Sequence, residues 1–187
     1  MKYILNHIEK CFIPSNKIAY AAFVSSIGII SGIVLGLLFQ TQSSSENIVQ
    51  IITSYNFLDN IYEIFMNNFR ISIITIVLSI TFYSGATLLT FVNLYIFSYS
   101  ATINTIQNGI QNTLTKYPHS ILELPAIIIS LAISYYISDI LMAYLKDNSN
   151  YVYNDKGKKI TVSFIFVIFL LLLSSIIESS LIYFNFI

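Results

Sequence analysis

The chain of 187 residues has one arginine, one cysteine, two histidines and three prolines, and only a tenth of it is charged. The single cysteine, Cys11, excludes an internal disulfide and any cysteine metal cluster. It reads as an ordinary thiol, with juxtamembrane lipidation as the alternative. Nine basic and nine acidic residues cancel, so no basic field exists to attract nucleic acid and no acidic tail to solvate a partner. No Ser-His-Asp ordering, glycine-rich phosphate loop or stacking platform for bases stands out. His7 lies in the basic N-terminal segment and reads as solvated.

What the chain has instead is hydrocarbon. Apolar residues make up 56% of it and the mean hydropathy is +0.74. Several runs reach the ~20 residues needed to cross a bilayer. The expected fold is all-α: a polytopic membrane helix bundle of about five transmembrane helices plus an interfacial amphipathic helix. It forms one membrane domain over 1–187, with spans near 19–39, 70–84, 86–106, 120–145 and 161–183.

The first run is too long for a signal-peptide core, and no cleavage site follows in Gln40-Thr41-Gln42, so it is expected to be retained. Within it Gly28, Gly32 and Gly36 form a smooth stripe for close helix approach, in the same chain or in a second copy. Gln40 to Asn47 reads as a surface loop. From Asn56, a candidate N-cap, the positions Phe57, Ile61, Phe65 and Phe69 oppose Asp59, Asn60, Glu63 and Asn67. That pattern predicts an amphipathic helix that lies in the interface and turns inward at Asn67 to Arg70, or that binds a partner.

The uncharged stretch from Ile71 to Ile106 is close to the length of two short spans, and the expected break is Ser84-Gly85-Ala86-Thr87. Beyond it, Ile103, Ile106, Ile110 and Leu114 predict a helix continuing along the surface. Asp147 to Lys159 reads as a polar loop with a turn at Asp155-Lys156-Gly157. Five spans put Lys2, Lys10, Lys17, Lys146, Lys156, Lys158 and Lys159 on one side, against Arg70 and Lys116. The positive-inside rule therefore places the N-terminus in the cytoplasm and the C-terminus outside.

The stretch from Tyr117 to Ala126 places polar groups where hydrocarbon is expected. His119 and Glu123 are one helical turn apart, and Pro125 denies the Ile121 carbonyl its usual donor. Charges at membrane depth cost about 2.5–3.5 kcal/mol each on insertion scales, so they pair or line polar cavities. By the expected topology Arg70, His119, Glu123 and Glu178 share the outer half of the membrane and neutralise one another, with Asn67 and Asn68 close by. Asn93 falls inside the third span, toward the cytoplasmic half, and Asp139 near the inner end of the fourth.

Asn67-Asn68 before Arg70, Gly85, Asn93, Pro118-His119, Glu123-Leu124-Pro125-Ala126 and Glu178 together resemble the stage II sporulation protein M family of bacterial membrane proteins, over roughly residues 60–184. The chain departs from that pattern at Ser120 and Leu94, where the family usually has glycine. The resemblance implies an accessory membrane subunit without an established catalytic activity. The family's namesake works with peptidoglycan-degrading partners, and other members are encoded with bacteriocin genes and ABC-type transporters.

Three readings of the polar set stay open: ion pairs that fix helix register, a path for substrate or protons, and a catalytic metal site of His119, Glu123 and Glu178. The last lacks the His-Glu-x-x-His spacing. The expectation is a non-catalytic accessory protein, without cofactor or metal, working with an ABC-type exporter in peptide export or self-immunity. The alternatives are an envelope-remodelling scaffold and an intramembrane metal-dependent hydrolase. Its expected partners are the lipid bilayer, other membrane proteins, and further copies of itself in a homo-oligomer.

Overall fold

In the computed structural model, residues 12–39, 57–146 and 154–184 are described. They form α1 (Ser15–Leu38), α2 (Phe57–Val77) with a 3-10 turn at Leu78–Thr81, α3 (Ser84–Asn108), α4 (Ile110–Lys116), α5 (Ser120–Leu145) and α6 (Asn154–Tyr183). Five of these, all but α4, are long and apolar enough to cross a membrane, counting the 3-10 turn with α2. His7, Cys11, Asn56, the loop at 40–47 and most of the loop at 147–159 fall outside the described residues.

The long helices alternate in direction, as their contacts reveal. Gly28, Gly32 and Gly36 of α1 meet Phe91, Tyr95 and Thr102 of α3 in rising order, so those two run parallel. Phe69 lies by Phe164 and Phe57 by Tyr183, so α2 and α6 are antiparallel. Lys17 meets Asp139 and Tyr20 meets Tyr135, so α1 and α5 run in the same opposed sense. One end of the bundle therefore gathers the start of α1, the α2–α3 turn and the end of α5. The other gathers the start of α2, α4, the start of α5 and the end of α6.

In a bilayer the hydrophobic effect gives helices no reason to prefer each other over lipid, so close packing of small residues has to hold them. The glycine stripe does this between α1 and α3: a Cβ on Gly32 would overlap the Ser98 hydroxyl and the Tyr95 carbonyl. The stripe is thus filled within the chain. Buried serines do the same elsewhere, with Ser130, Ser134 and Ser138 at four-residue spacing on α5 and Ser163, Ser174, Ser175 and Ser179 on α6. Such hydroxyls cost little in apolar surroundings when they bond to their own helix, as Ser130 does to the Ala126 carbonyl at 2.8 Å. Phe23, Ile27, Ile30, Val34 and Leu37 stay exposed along α1, the face that lipid covers.

Four local expectations are revised. The amphipathic stretch from Phe57 and the second span are one helix, with no turn at Asn67 to Arg70. The chain reverses at Phe82 and Tyr83, both at positive φ (48° and 74°), rather than at Ser84 to Thr87, which opens α3. Thr81 explains that register: its hydroxyl accepts from the Gly85 N–H at 2.8 Å, capping a donor at the new helix start. The surface helix breaks at Gly109 (φ 83°), and α4 folds back so that Asn104 donates to the Thr113 hydroxyl. Finally, Asp155 to Gly157 is not a turn but the opening of α6.

Candidate functional site

His119 caps the N-terminus of α5, its backbone already helical and its carbonyl accepting from the Leu122 and Glu123 N–H groups at 3.0 and 3.2 Å. The Ser174 hydroxyl of α6 donates to the same carbonyl at 3.2 Å. Those three bonds fix the backbone from which a side chain only 10% exposed projects. Its Nε2 stands 3.9 Å from Glu123, one turn along α5, and 3.8 Å from Glu178 on α6. Both separations exceed hydrogen-bond length, and the buried Nδ1 has no hydrogen-bond partner. Burial pushes the imidazole below its ordinary pKa and the neighbouring Tyr117 phenol above it.

These three side chains line a cavity of about 370 Å³, within the ~300–1,000 Å³ usual for ligand pockets. Glu63 and Asn67 of α2 stand exposed at its rim, Asn68 is half-buried behind them, and Phe97 of α3 and Tyr117 supply aromatic surface. A smaller cavity of about 110 Å³ shares Asn67, Asn68, Phe97 and Glu123 and is closed by Asn93 and Ser120. Asn93, expected apart from the cluster, thus faces the same space as Glu123.

Of the residues singled out in the sequence, the structure brings together Asn67, Asn68, His119, Glu123 and Glu178. Arg70 is not among them: its side chain is exposed, outside the cavity, and forms no ion pair with Glu123 or Glu178. The positive charge expected to neutralise the carboxylates is therefore absent, and Glu63 adds a third. Glu63, Phe97 and Tyr117 were missed, although Glu63–Asn67 and Asn93–Phe97 carry the i, i+4 spacing that puts each pair on one face. Pro125 sits in the sixth position of α5 without breaking it. Among the described residues no group of three His, Cys, Asp or Glu side chains is placed to hold a metal ion.

A second polar group occupies the opposite end. Lys17 pairs with Asp139, the Tyr83 hydroxyl donates to Asp139, and Lys17 lies 5.5 Å above the Tyr83 ring. The Thr87 and Tyr135 hydroxyls bond at 2.7 Å beside them. This group closes on itself, with its charges matched, and leaves the acidic cavity as the open site.

Among families of known proteins, the one described as stage II sporulation protein M matches residues 21–181 of the chain. Nothing among curated proteins and nothing among solved structures matches the chain.

Proposed function

The chain belongs to the stage II sporulation protein M family, and from that premise we propose that it is a non-catalytic accessory protein of the bacterial cell membrane, working beside an ABC-type exporter in peptide export or self-immunity. The observation that carries this reading is the void at one end of the bundle. Helices α2, α3, α5 and α6 meet there around a polar cavity with exposed Glu63 and Asn67 at the rim, where tight packing prevails along α1 and α3. A helix bundle that leaves such a space at a membrane face has a place for a group brought by another molecule. Register-fixing ion pairs would account for the cavity less well, because Arg70 lies outside it.

The orientation in this reading has the N-terminus cytoplasmic and the C-terminus outside. Its support is the gathering of Lys17, Lys146, Lys156, Lys158 and Lys159 at the end opposite the cavity, which suits the positive-inside rule. The acidic cavity then opens to the outer face.

The test is to solubilise the tagged protein from its native membrane, purify it gently and identify what accompanies it by mass spectrometry. ATP-binding and permease subunits of a transporter are the expected companions. Recovery of peptidoglycan-degrading proteins in their place would replace this reading with the envelope scaffold.

A further inference from the structure

We propose that the cavity around His119 is a receptor for one cationic side chain, a lysine ammonium or an arginine guanidinium, presented by a peptide or a partner segment. It rests on the accessory reading only in naming what such a partner would present.

Three independent features point to a cation. Glu63, Glu123 and Glu178 bring three carboxylates to one cavity whose lining, among the described residues, contains neither lysine nor arginine. Arg70, seven positions from Glu63 on the same helix, is exposed and lies outside the cavity. Carboxylates taken partly out of water and left without a counter-charge are costly, and a bound cation removes that cost.

The second feature is His119. Its side chain is 10% exposed and lines the cavity, its buried Nδ1 has no hydrogen-bond partner, and its Nε2 lies beside both carboxylates but too far from either to bond. Buried polar atoms are rarely left in this state. An ammonium or guanidinium donor entering between Glu123 and Glu178 would meet Nε2, the ring nitrogen on that side, as an acceptor in the tautomer that carries its proton on Nδ1, and would give both carboxylates an opposite charge.

The third is aromatic. Phe97 and Tyr117 line the same cavity, edge to face, with ring centroids 5.7 Å apart. Ring faces attract cations by their quadrupole, and acidic side chains combined with aromatic walls are a recurring way to hold an ammonium or guanidinium group. A neutral polar guest would use the carboxylates but gain little from the rings. The volume of about 370 Å³ admits a long side chain together with some of its backbone.

The experiment uses the full chain in detergent or nanodiscs, titrated calorimetrically with capped tripeptides carrying a central arginine, lysine or glutamine. The arginine and lysine peptides should bind, with affinity falling as salt rises. The glutamine peptide should bind at least tenfold more weakly. Glu63→Gln, at the exposed rim where folding is not at risk, should weaken the basic peptides about three- to tenfold, and Arg70→Gln should leave them unchanged.

Equal binding of the glutamine peptide, or no effect of Glu63→Gln, would overturn the proposal. So would capture of the site by a lipid amine, seen as loss of peptide binding in phosphatidylethanolamine nanodiscs but not in phosphatidylglycerol ones. A transporter partner recovered without any peptide binding would sink this inference alone. Peptide binding without a transporter partner would sink the exporter reading alone.

Discussion

Lys17 and Asp139 form an ion pair that ties the beginning of the first span to the end of the fourth, 122 positions apart in the chain. Their side chains are 21% and 25% exposed. Asp139 also takes the Tyr83 hydroxyl, so the pair anchors the α2–α3 turn. Hydrogen bonds to charged groups contribute about 1.5–3 kcal/mol. Asp139→Asn should therefore lower the thermal midpoint in detergent by several degrees. The reversed pair Lys17→Asp with Asp139→Lys should recover part of the loss, and equal midpoints for all three proteins would show that the pair contributes nothing.

The turn that this pair anchors carries strain. Phe82 and Tyr83 both have positive φ, which costs a bulky L-residue about 1–3 kcal/mol. Tyr83 is held there by Asp139 and by its ring contact with Tyr135 at 5.2 Å. Phe82 is 42% exposed. Phe82→Gly should accordingly raise stability by up to about 1 kcal/mol, whereas Tyr83→Gly should lower it, because the glycine relieves strain but loses the anchor. Chemical denaturation of the two variants separates the cases, and a destabilised Phe82→Gly would remove the strain argument.

The glycine stripe gives a graded test. A Cβ at Gly32 would collide with backbone of α3 as well as with Ser98, while at Gly28 the nearest atom is the Phe91 carbonyl oxygen at 3.1 Å. Overpacking typically costs about 1–3 kcal/mol. Gly32→Ala should sit at or beyond the top of that range and Gly28→Ala near its bottom, measured as thermal midpoint or as yield of monodisperse protein. Equal losses would mean that α1 and α3 do not cross where the structure has them.

Much of the fold was legible because it depends on local signals. Apolar runs and lysine placement mark the spans, and the four-residue recurrence of Gly28, Gly32 and Gly36 marks a face for close helix packing, though not that α3 fills it. The α2–α3 turn was misplaced by two residues because its chemistry is concealed. Phe82 and Tyr83 are poor candidates for a left-handed turn by propensity, and what holds Tyr83 there comes from Asp139, far away in sequence. The site was half legible for a similar reason. His119 to Glu123 is a single turn of helix and can be read directly, as can the depth of Glu178. Depth, however, does not fix the direction in which a side chain points. Arg70 shares the depth but projects outside the cavity, while Glu63, one turn before Asn67, turns toward it.

The proposed orientation has a direct check. Cysteines introduced at Ser44 and Ser149, which lie outside the described residues on opposite sides of the expected topology, should react differently with an impermeant thiol reagent in intact cells. This uses a Cys11→Ser background. Ser44→Cys should be labelled and Ser149→Cys shielded. Labelling of Ser149→Cys alone would invert the bundle and turn the acidic cavity toward the cytoplasm.

The position of Arg70 reverses the expected consequence of neutralising the glutamates. Had Arg70 paired with Glu123 and Glu178, removing either carboxylate would have stranded a positive charge and lowered stability. Instead three carboxylates share a cavity with no basic side chain among the described residues of its lining, and Glu123 and Glu178 flank one histidine. Like charges at close range repel, and more strongly where water is partly excluded. Glu178→Gln should therefore leave the free protein as stable or stabilise it, by about 0.5–2 kcal/mol, the gain common when a functional site is relieved of strain. Arg70→Gln, an exposed substitution, should stay within about 0.5 kcal/mol of wild type. Function should move the other way: on the proposed accessory reading, Glu178→Gln should abolish export or self-immunity in cells while Arg70→Gln keeps it. Thermal midpoints at neutral pH and low salt, set beside the cellular assay, decide the matter. A Glu178→Gln protein that is both destabilised and inactive would return the carboxylates to a structural role and require a counter-charge within the fold. One that is stabilised and inactive would mark Glu178 as held at a cost to the fold for the sake of what binds there.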